Sequence, residues 1–276
     1  MPNILKCPVC GNNLENCGHT VPKTPEGALI FIENFKQNEV KSHNSKKSTL
    51  KSIAKKILLP PHHSIYNDLS SSHTEPKELL SLLKKMPADA IIINIGSLSK
   101  NLQNLHSGIR NLDICSYPNI DFVADVCDLP FQDGKVDMII FKNVLEHVKD
   151  PVKALSEISR VLKKDGILYV KIPFLQPFHA VPNDFQRYTE SGFRELFKNY
   201  QEQGFGIAVG GGSMMSWIVR EYLAILTSFG NRKLYHLGLH FWGWLTFWIK
   251  YSDLLLRKNK YGSCIASAFY GIYKKH

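Results

Sequence analysis

Two groups of residues have types and spacings suited to chemistry. The first lies in "CPVCGNNLENCGH", where Cys7 and Cys10 form a Cys-x-x-Cys turn whose thiolates can share one tetrahedral zinc ion, and Gly11 lets the chain fold back. Cys17 and His19 can complete the ligand set, although Cys-x-His is a tight spacing for a single ion. So short a segment cannot bury enough apolar surface to fold unaided, and a metal would supply the missing stability. The alternative is an unmetallated turn with exposed thiols. A redox dithiol is disfavoured, because no βαβ pattern surrounds the pair.

The second group is a series of polar residues at the ends of apolar runs. Asn94 and Gly96 follow "AIII", Asp113 closes "IRNLD", Asp125 and Asp128 follow "DFVA", and Asn143 follows "MIIFK". Asp113 stands 17 positions after Gly96, about where a ribose-binding carboxylate belongs. An acid after the third run can accept from an exocyclic amine such as that of adenine. Together they describe an adenosine pocket. Taken singly, Asp113 and Asp128 are better read as turn caps, and it is their repetition at successive strand ends that shifts the balance toward a site.

These residues need a scaffold that brings strand ends together. "DAIIINIG", "GIRNLDI", "IDFVADV", "VDMIIFKN" and "GILYVKIP" are short, β-branched and bounded by turn residues, as buried strands of a parallel sheet are. Between the fourth and fifth, "DPVKALSEISRVLKKDG" is predicted as a helix capped by Asp150, with Pro151 in its first turn and Gly166 at its end. Its apolar face is Val152, Leu155, Ile158, Val161 and Leu162. The alternation gives an α/β fold with a doubly wound, Rossmann-like sheet, whose ligands sit at the carboxyl ends of the strands.

The chain has 276 residues, 44% of them hydrophobic, enough for one sizeable core with a small appendage. Residues 1–36 are expected to be a zinc-knuckle-like segment closed by a strand over Ala28 to Ile32. Residues 37–75, studded with Lys41, Lys46, Lys47, Lys51, Lys55 and Lys56, read as a solvated basic linker, with an anion-binding arm as the alternative. Residues 76–276 hold the α/β domain. The net charge of +10 suits an anionic partner, nucleic acid or membrane. With no apolar leader at Met1, the chain is expected to begin in the cytosol, where Cys115, Cys127 and Cys264 would be packing residues.

The stretch "FVADVCDLPFQDGKVDMIIFKNVLEHVKDPVKALSEISRVLKKDGILYVKIP" resembles class I S-adenosylmethionine-dependent methyltransferases of the type 11 group. The likeness rests on an acid followed by Leu-Pro-Phe, an Asp opening the fourth strand, a His-Val pair and a helix ending in a Leu-Lys-x-Gly-like turn. It implies S-adenosylmethionine as cofactor. Asn94, Gly96 and Ser97 would lie beside its methionine moiety, Asp113 would take the ribose, Asp125 and Val126 would flank the adenine, and Asn143 would lie near the sulfonium. Where the family usually has a second glycine this chain has Leu98. A dinucleotide loop needs glycines because a pyrophosphate sits on the helix N-terminus, but S-adenosylmethionine carries no phosphate, so one glycine suffices.

After the fifth strand, "PFLQPFHAVPNDFQRYT" lies where an acceptor must approach. His179 and Asp184 are candidates for base and orienting carboxylate, Arg187 for an anion grip, and His147 with Glu146 are further candidates. The alternative is a capped loop in which Arg187 pairs with Asp184. Between a sixth strand, "GFGIAVGGG", and a last one, "CIASAFYGIYKK", residues 211–262 form an insertion with all four tryptophans, Trp217, Trp242, Trp244 and Trp248. It also holds Arg220, Arg232, Lys233, Lys250, Arg257, Lys258 and Lys260. Tryptophan beside Lys and Arg suits a membrane interface, and the charge-free run 234–249 is shorter than the roughly 20 residues of a spanning helix. A monotopic helical hairpin is expected, with an extra helical layer or dimer face as the alternative. The sequence thus describes a methyltransferase at the membrane surface, acting on an amphipathic, lipid-linked or glycan acceptor. An RNA methyltransferase or a non-catalytic adaptor is the alternative.

Overall fold

The computed structural model describes residues 4–32, 75–97, 102–180 and 183–276. The lysine-rich segment 37–74 and Leu98 lie outside them. Among the described residues eight strands form one sheet: β1 (Leu29–Ile30), β2 (Ile92–Ile95), β3 (Ile109–Asp113), β4 (Phe122–Val123), β5 (Val136–Lys142), β6 (Leu162–Pro173), β7 (Tyr200–Val209) and β8 (Ala268–Lys275). Their spatial order is β1-β4-β3-β2-β5-β6-β8-β7. All pairings are parallel except those of β8, which lies antiparallel between β6 and β7.

Alternation along β2 and β5 divides the core. Ile93, Ile95, Ile139 and Phe141 point to the face covered by α2 (Pro151–Val161) and α3 (Glu190–Leu196), while Ile92, Met138 and Ile140 meet Leu79 and Leu83 of α1 (Lys77–Leu83). Helix α2 starts as the sequence predicts: the Asp150 side chain accepts from Lys153 N, and Pro151 takes the first turn. Two details differ. The helix ends at Val161, not at Gly166, because Leu162 turns extended and pairs with Val136. Val152 is 71% exposed, and Ala154 takes the expected place beside Leu155, Ile158 and Val161.

The N-terminal segment is tied to the main sheet. Its strand, expected to close a small unit of its own, instead pairs in parallel with β4 as an edge strand. Ile4 and Leu5 are buried in the larger core, and Lys6 N donates to Pro130 O while Gln132 N donates to Ile4 O. The Leu-Pro-Phe segment is held from the other side by α2. Arg160 donates to the carbonyls of Leu129 and Phe131, and Glu157 accepts from Leu129 N.

Helices α4 (Gly211–Leu226), α5 (Arg232–Thr246) and α6 (Asp253–Leu256) make up most of the insertion. The buried carboxylate of Asp253 accepts from Gly212 N (2.6 Å), Ser213 N (3.2 Å) and Ser213 Oγ (2.7 Å), capping α4 from another element. Among the described residues no helix is long and apolar enough to cross a membrane. Cys264 is exposed and Cys115 half-buried, so neither is the packing residue expected, whereas half-buried Cys127 does pack against the main core.

Because Leu5 sits in the main core, Leu5→Ala should destabilise the whole domain by about 2–4 kcal/mol. Urea denaturation should show this as a shift of a single transition, and an early separate transition for the N-terminal segment would contradict the packing.

Candidate active site

A cavity of about 1140 Å³ runs along the carboxyl edge of β2, β3, β4 and β5. One wall holds Gly96, Asp113, Asp125, Val126 and Asn143, and the other holds His147, His179, Trp217, Arg220 and Lys250. One space therefore joins the expected cofactor residues to the expected acceptor side.

Gly96 is required on two counts. Its φ is +69°, and a Cβ there would stand 2.1 Å from Cγ2 of Val144, in the loop after β5. The single glycine of the turn thus lets two adjacent strand-end loops touch. Asp113, buried at the end of β3, accepts from Cys115 N (3.1 Å) and lines the cavity. Asp125 likewise accepts from Cys127 N (2.8 Å) while facing the same space. Asp113 is thus a turn cap, the alternative the sequence offered for it, and both acids also line the cavity. Asn143 has a φ of 53°, which asparagine tolerates, and its N–H is held by Lys171 O.

Two expected cofactor residues are not on the wall. Asn94 is opposite Asn111 in the β2–β3 register and donates to its Oδ1 (3.0 Å), so its side chain is committed within the sheet. Ser97 is buried away from the cavity lining. Asp128 also lies off the wall.

On the acceptor side, the loop after β6 is stapled to the turn after β5. Gln186 Nε2 donates to the carbonyls of Leu145 and Val148, and Phe185 N donates to Glu146 O. Arg187, expected to grip an anion, is instead bound to both oxygens of Asp184 and to Pro177 O. Asp184 also accepts from His179 N (2.9 Å). Burial alone would raise the Asp184 carboxyl, but the Arg187 guanidinium and the His179 N–H hold it below the usual range. The pair therefore braces the loop that carries His179. The imidazoles of His147 and His179 face each other edge to face, with ring centres 5.5 Å apart, and His179 also packs near Trp217. Beneath them Glu146 is 0% exposed, neither carboxylate oxygen has a hydrogen-bond partner among the described residues, and burial pushes its pKa up to about 7.

The insertion is part of the wall, which sequence reasoning missed. Trp217 and Arg220 of α4 are buried and, with Lys250, face the cavity with Lys171. Arg187 does not line the cavity, whereas these cations do, although Arg220 Nη2 also meets Glu221 Oε1 at 3.5 Å, and Trp217 is not one of the surface tryptophans expected. The signal was available: Ser213, Trp217 and Arg220 recur at i, i+4 and i+7, placing a polar stripe on an otherwise apolar helix.

At the N-terminus, ligand atoms of Cys7, Cys10, Cys17 and His19 all lie within 4.8 Å of one another. Val9 N also points at Cys7 Sγ (3.4 Å). Three thiols and an imidazole gathered in this way match the donor set of a structural zinc site.

A doubly wound sheet with β8 antiparallel beside β6, and strand-end acids along one cavity, is a Rossmann-like fold of the methyltransferase type. Residues 82–170 match the type 11 family described as a methyltransferase domain. Over this stretch, about a third of the chain, the sequence is similar to the class I S-adenosylmethionine-dependent methyltransferases of that group. Similar curated proteins include the ubiquinone/menaquinone biosynthesis C-methyltransferase UbiE of Campylobacter jejuni, 35% identical over 26% of this chain and 34% of that protein. The demethylmenaquinone methyltransferase of Renibacterium salmoninarum is 40% identical over 29% of this chain and 32% of that protein. The chain thus spans about a third of the length of these relatives. A solved structure of Haemonchus contortus phosphoethanolamine N-methyltransferase 2 with S-adenosyl-L-methionine aligns at a TM-score of 0.47 and 13% identity, over 76% of this chain and 55% of that one.

The double constraint on Gly96 predicts that Gly96→Ala destabilises the fold by about 2–4 kcal/mol in urea denaturation. Adding Val144→Ala removes the contacted methyl and should recover part of that loss. No recovery would mean that backbone strain alone is responsible.

Proposed function

We propose that the chain is an S-adenosylmethionine-dependent methyltransferase working at the cytoplasmic surface of a membrane on an amphipathic, lipid-linked or glycan acceptor with an anionic group. The single observation that carries this reading is the continuous cavity from Gly96, Asp113 and Asp125 to Trp217, Arg220 and Lys250. The cofactor supplies a methyl group already activated by its sulfonium, so the chain has mainly to align donor and acceptor. Asp113 accepts hydrogen bonds from ribose hydroxyls, Asp125 and Val126 hold the adenine, and Gly96 leaves room for the methionine end. Trp217 offers an apolar wall, and Arg220 and Lys250 offer charge to an anionic acceptor.

The membrane part of the reading is supported by the outer face of the insertion. At the α4–α5 turn Phe229 is 90% exposed, Leu226 and Leu237 on the flanking helices are exposed too, and the exposed Arg232 and Lys233 follow in sequence. Trp248 and Leu255 are exposed further along the insertion. Aromatic side chains this open, flanked by cations, suit the headgroup layer of an anionic bilayer. The Cys7, Cys10, Cys17 and His19 group is proposed to hold zinc and stiffen the segment that Leu5 anchors.

Calorimetric titration with S-adenosylhomocysteine tests the enzyme: the wild type should bind, and Asp113→Ala should bind at least tenfold more weakly. A wild type that does not bind would favour an adaptor.

Sedimentation with vesicles containing phosphatidylglycerol tests the surface. Wild type should pellet with them in a salt-sensitive way, and Phe229→Ser combined with Trp248→Ser should remain in solution. Equal pelleting of both proteins would sink the membrane reading, and salt-sensitive binding of RNA in its place would favour the nucleic-acid alternative.

A further inference from the structure

We propose that Glu146, His147 and His179 form a binding site for a divalent first-row transition cation on the acceptor wall of the cavity. Their ligand atoms lie within 4.8 Å of one another: Oε1 of Glu146 is 3.8 Å from Nε2 of His147 and 4.0 Å from Nε2 of His179. Bonds of about 2.0–2.2 Å to one ion hold such atoms roughly 3–3.6 Å apart, so small side-chain rotations close the set.

Three observations point to a cation here. Glu146 is wholly buried and, among the described residues, neither of its carboxylate oxygens accepts a hydrogen bond, a costly state that a bound cation relieves. The imidazoles are oriented as metal ligands usually are, with the second nitrogen on a backbone carbonyl. His147 Nδ1 meets Asn183 O at 2.5 Å and His179 Nδ1 meets Pro177 O at 3.0 Å. A carbonyl oxygen only accepts, so each Nδ1 carries the proton and each Nε2 turns a lone pair toward Glu146. Arg187 Nη2, 3.2 Å from His179 Nδ1, would favour the opposite tautomer, but its donors are already directed to the Asp184 carboxylate. Finally, the site is mechanically braced. The Asp184–Arg187 pair fixes one histidine, and the Gln186 and Phe185 bonds fix the turn bearing the other.

Two imidazoles and one carboxylate suit Mn, Fe, Co or Zn, and three protein ligands leave coordination positions open. Both histidines line the cavity, so an oxygen of the acceptor, from a hydroxyl or a phosphate, can fill one of them. An acceptor hydroxyl bound there loses its proton to solvent more readily, and its oxygen then forms the bond to the methyl carbon as the carbon–sulfur bond breaks with its electron pair going to sulfur. This last step rests on the methyltransferase reading. The cation site itself does not.

The test is a titration with Mn²⁺ followed by electron paramagnetic resonance. Mn²⁺ is chosen because it favours nitrogen and oxygen over the thiols of the N-terminal group. Wild type should bind one equivalent. His147→Ala and Glu146→Gln should each bind at least tenfold more weakly while keeping the wild-type circular dichroism. A wild type that binds no Mn²⁺ at millimolar metal, or His147→Ala and Glu146→Gln that bind normally, would overturn the site. S-adenosylhomocysteine titrated into the same proteins separates the two readings: loss of Mn²⁺ with cofactor binding intact is a failure at the cation site alone.

Discussion

Buried backbone has to be paired, and in this chain that requirement fixes the site. Strand β2 is buried along its whole length, so its N–H and C=O groups must bond to β3 and β5. Both pairings are parallel, which puts the carboxyl ends of neighbouring strands on one edge. The turns that follow must leave the sheet side by side, and they approach closely enough that Gly96 and Val144 have no room for another methyl between them. The acids at these turns face one cavity because the strands that deliver them cannot be arranged otherwise.

The second wall depends on a different contact. Gly210, Gly211 and Gly212 let Asp253, Ser252 and Ile265 approach to within van der Waals distance of the α4 start, where any Cβ would collide. The Asp253 carboxylate then answers the unpaired N–H groups of that helix end. This buried charge is satisfied by three donors, and it fixes α4 with Ser213, Trp217 and Arg220 toward the cavity. Glu221 extends the anchorage, accepting from Trp217 Nε1 and from the Tyr235 hydroxyl of α5.

What could be read from the sequence was what local physics determines. The parallel strands, the Asp150 cap and the acids at strand ends follow from side-chain period and turn chemistry within a few residues. Pairings between distant segments were not readable. Nothing near Leu29 says that it joins β4, and nothing near Asn94 says that the β2–β3 register sets it against Asn111. The end of α2 was misplaced because Leu162 is drawn off by pairing with β5. Arg187 was a plausible anion grip by type, but only the fold shows Asp184 already holding it. Glu146 was visible as a residue next to His147, whereas its complete burial depends on the loop that folds over it from forty residues downstream.

The insertion shows how one helix can serve two environments. On α4 the residues Ser213, Trp217 and Arg220 face the cavity, while Met215, Ile218, Tyr222 and Ile225 are exposed at spacings of three, four and three residues on the outer side. A helix with buried polar groups inside and apolar groups outside inverts the usual surface pattern. Solvent alone does not favour that arrangement, and Phe229, Leu237, Phe241 and Trp248 of the same insertion are exposed as well. On the proposed reading the inversion has one cause: the outer stripe meets lipid, and the inner stripe meets the polar group of an acceptor whose tail remains in that lipid. A ligand with both characters would bridge the two faces, which explains why the cations of the insertion are divided, with Arg220 and Lys250 inside and Arg232 and Lys233 outside.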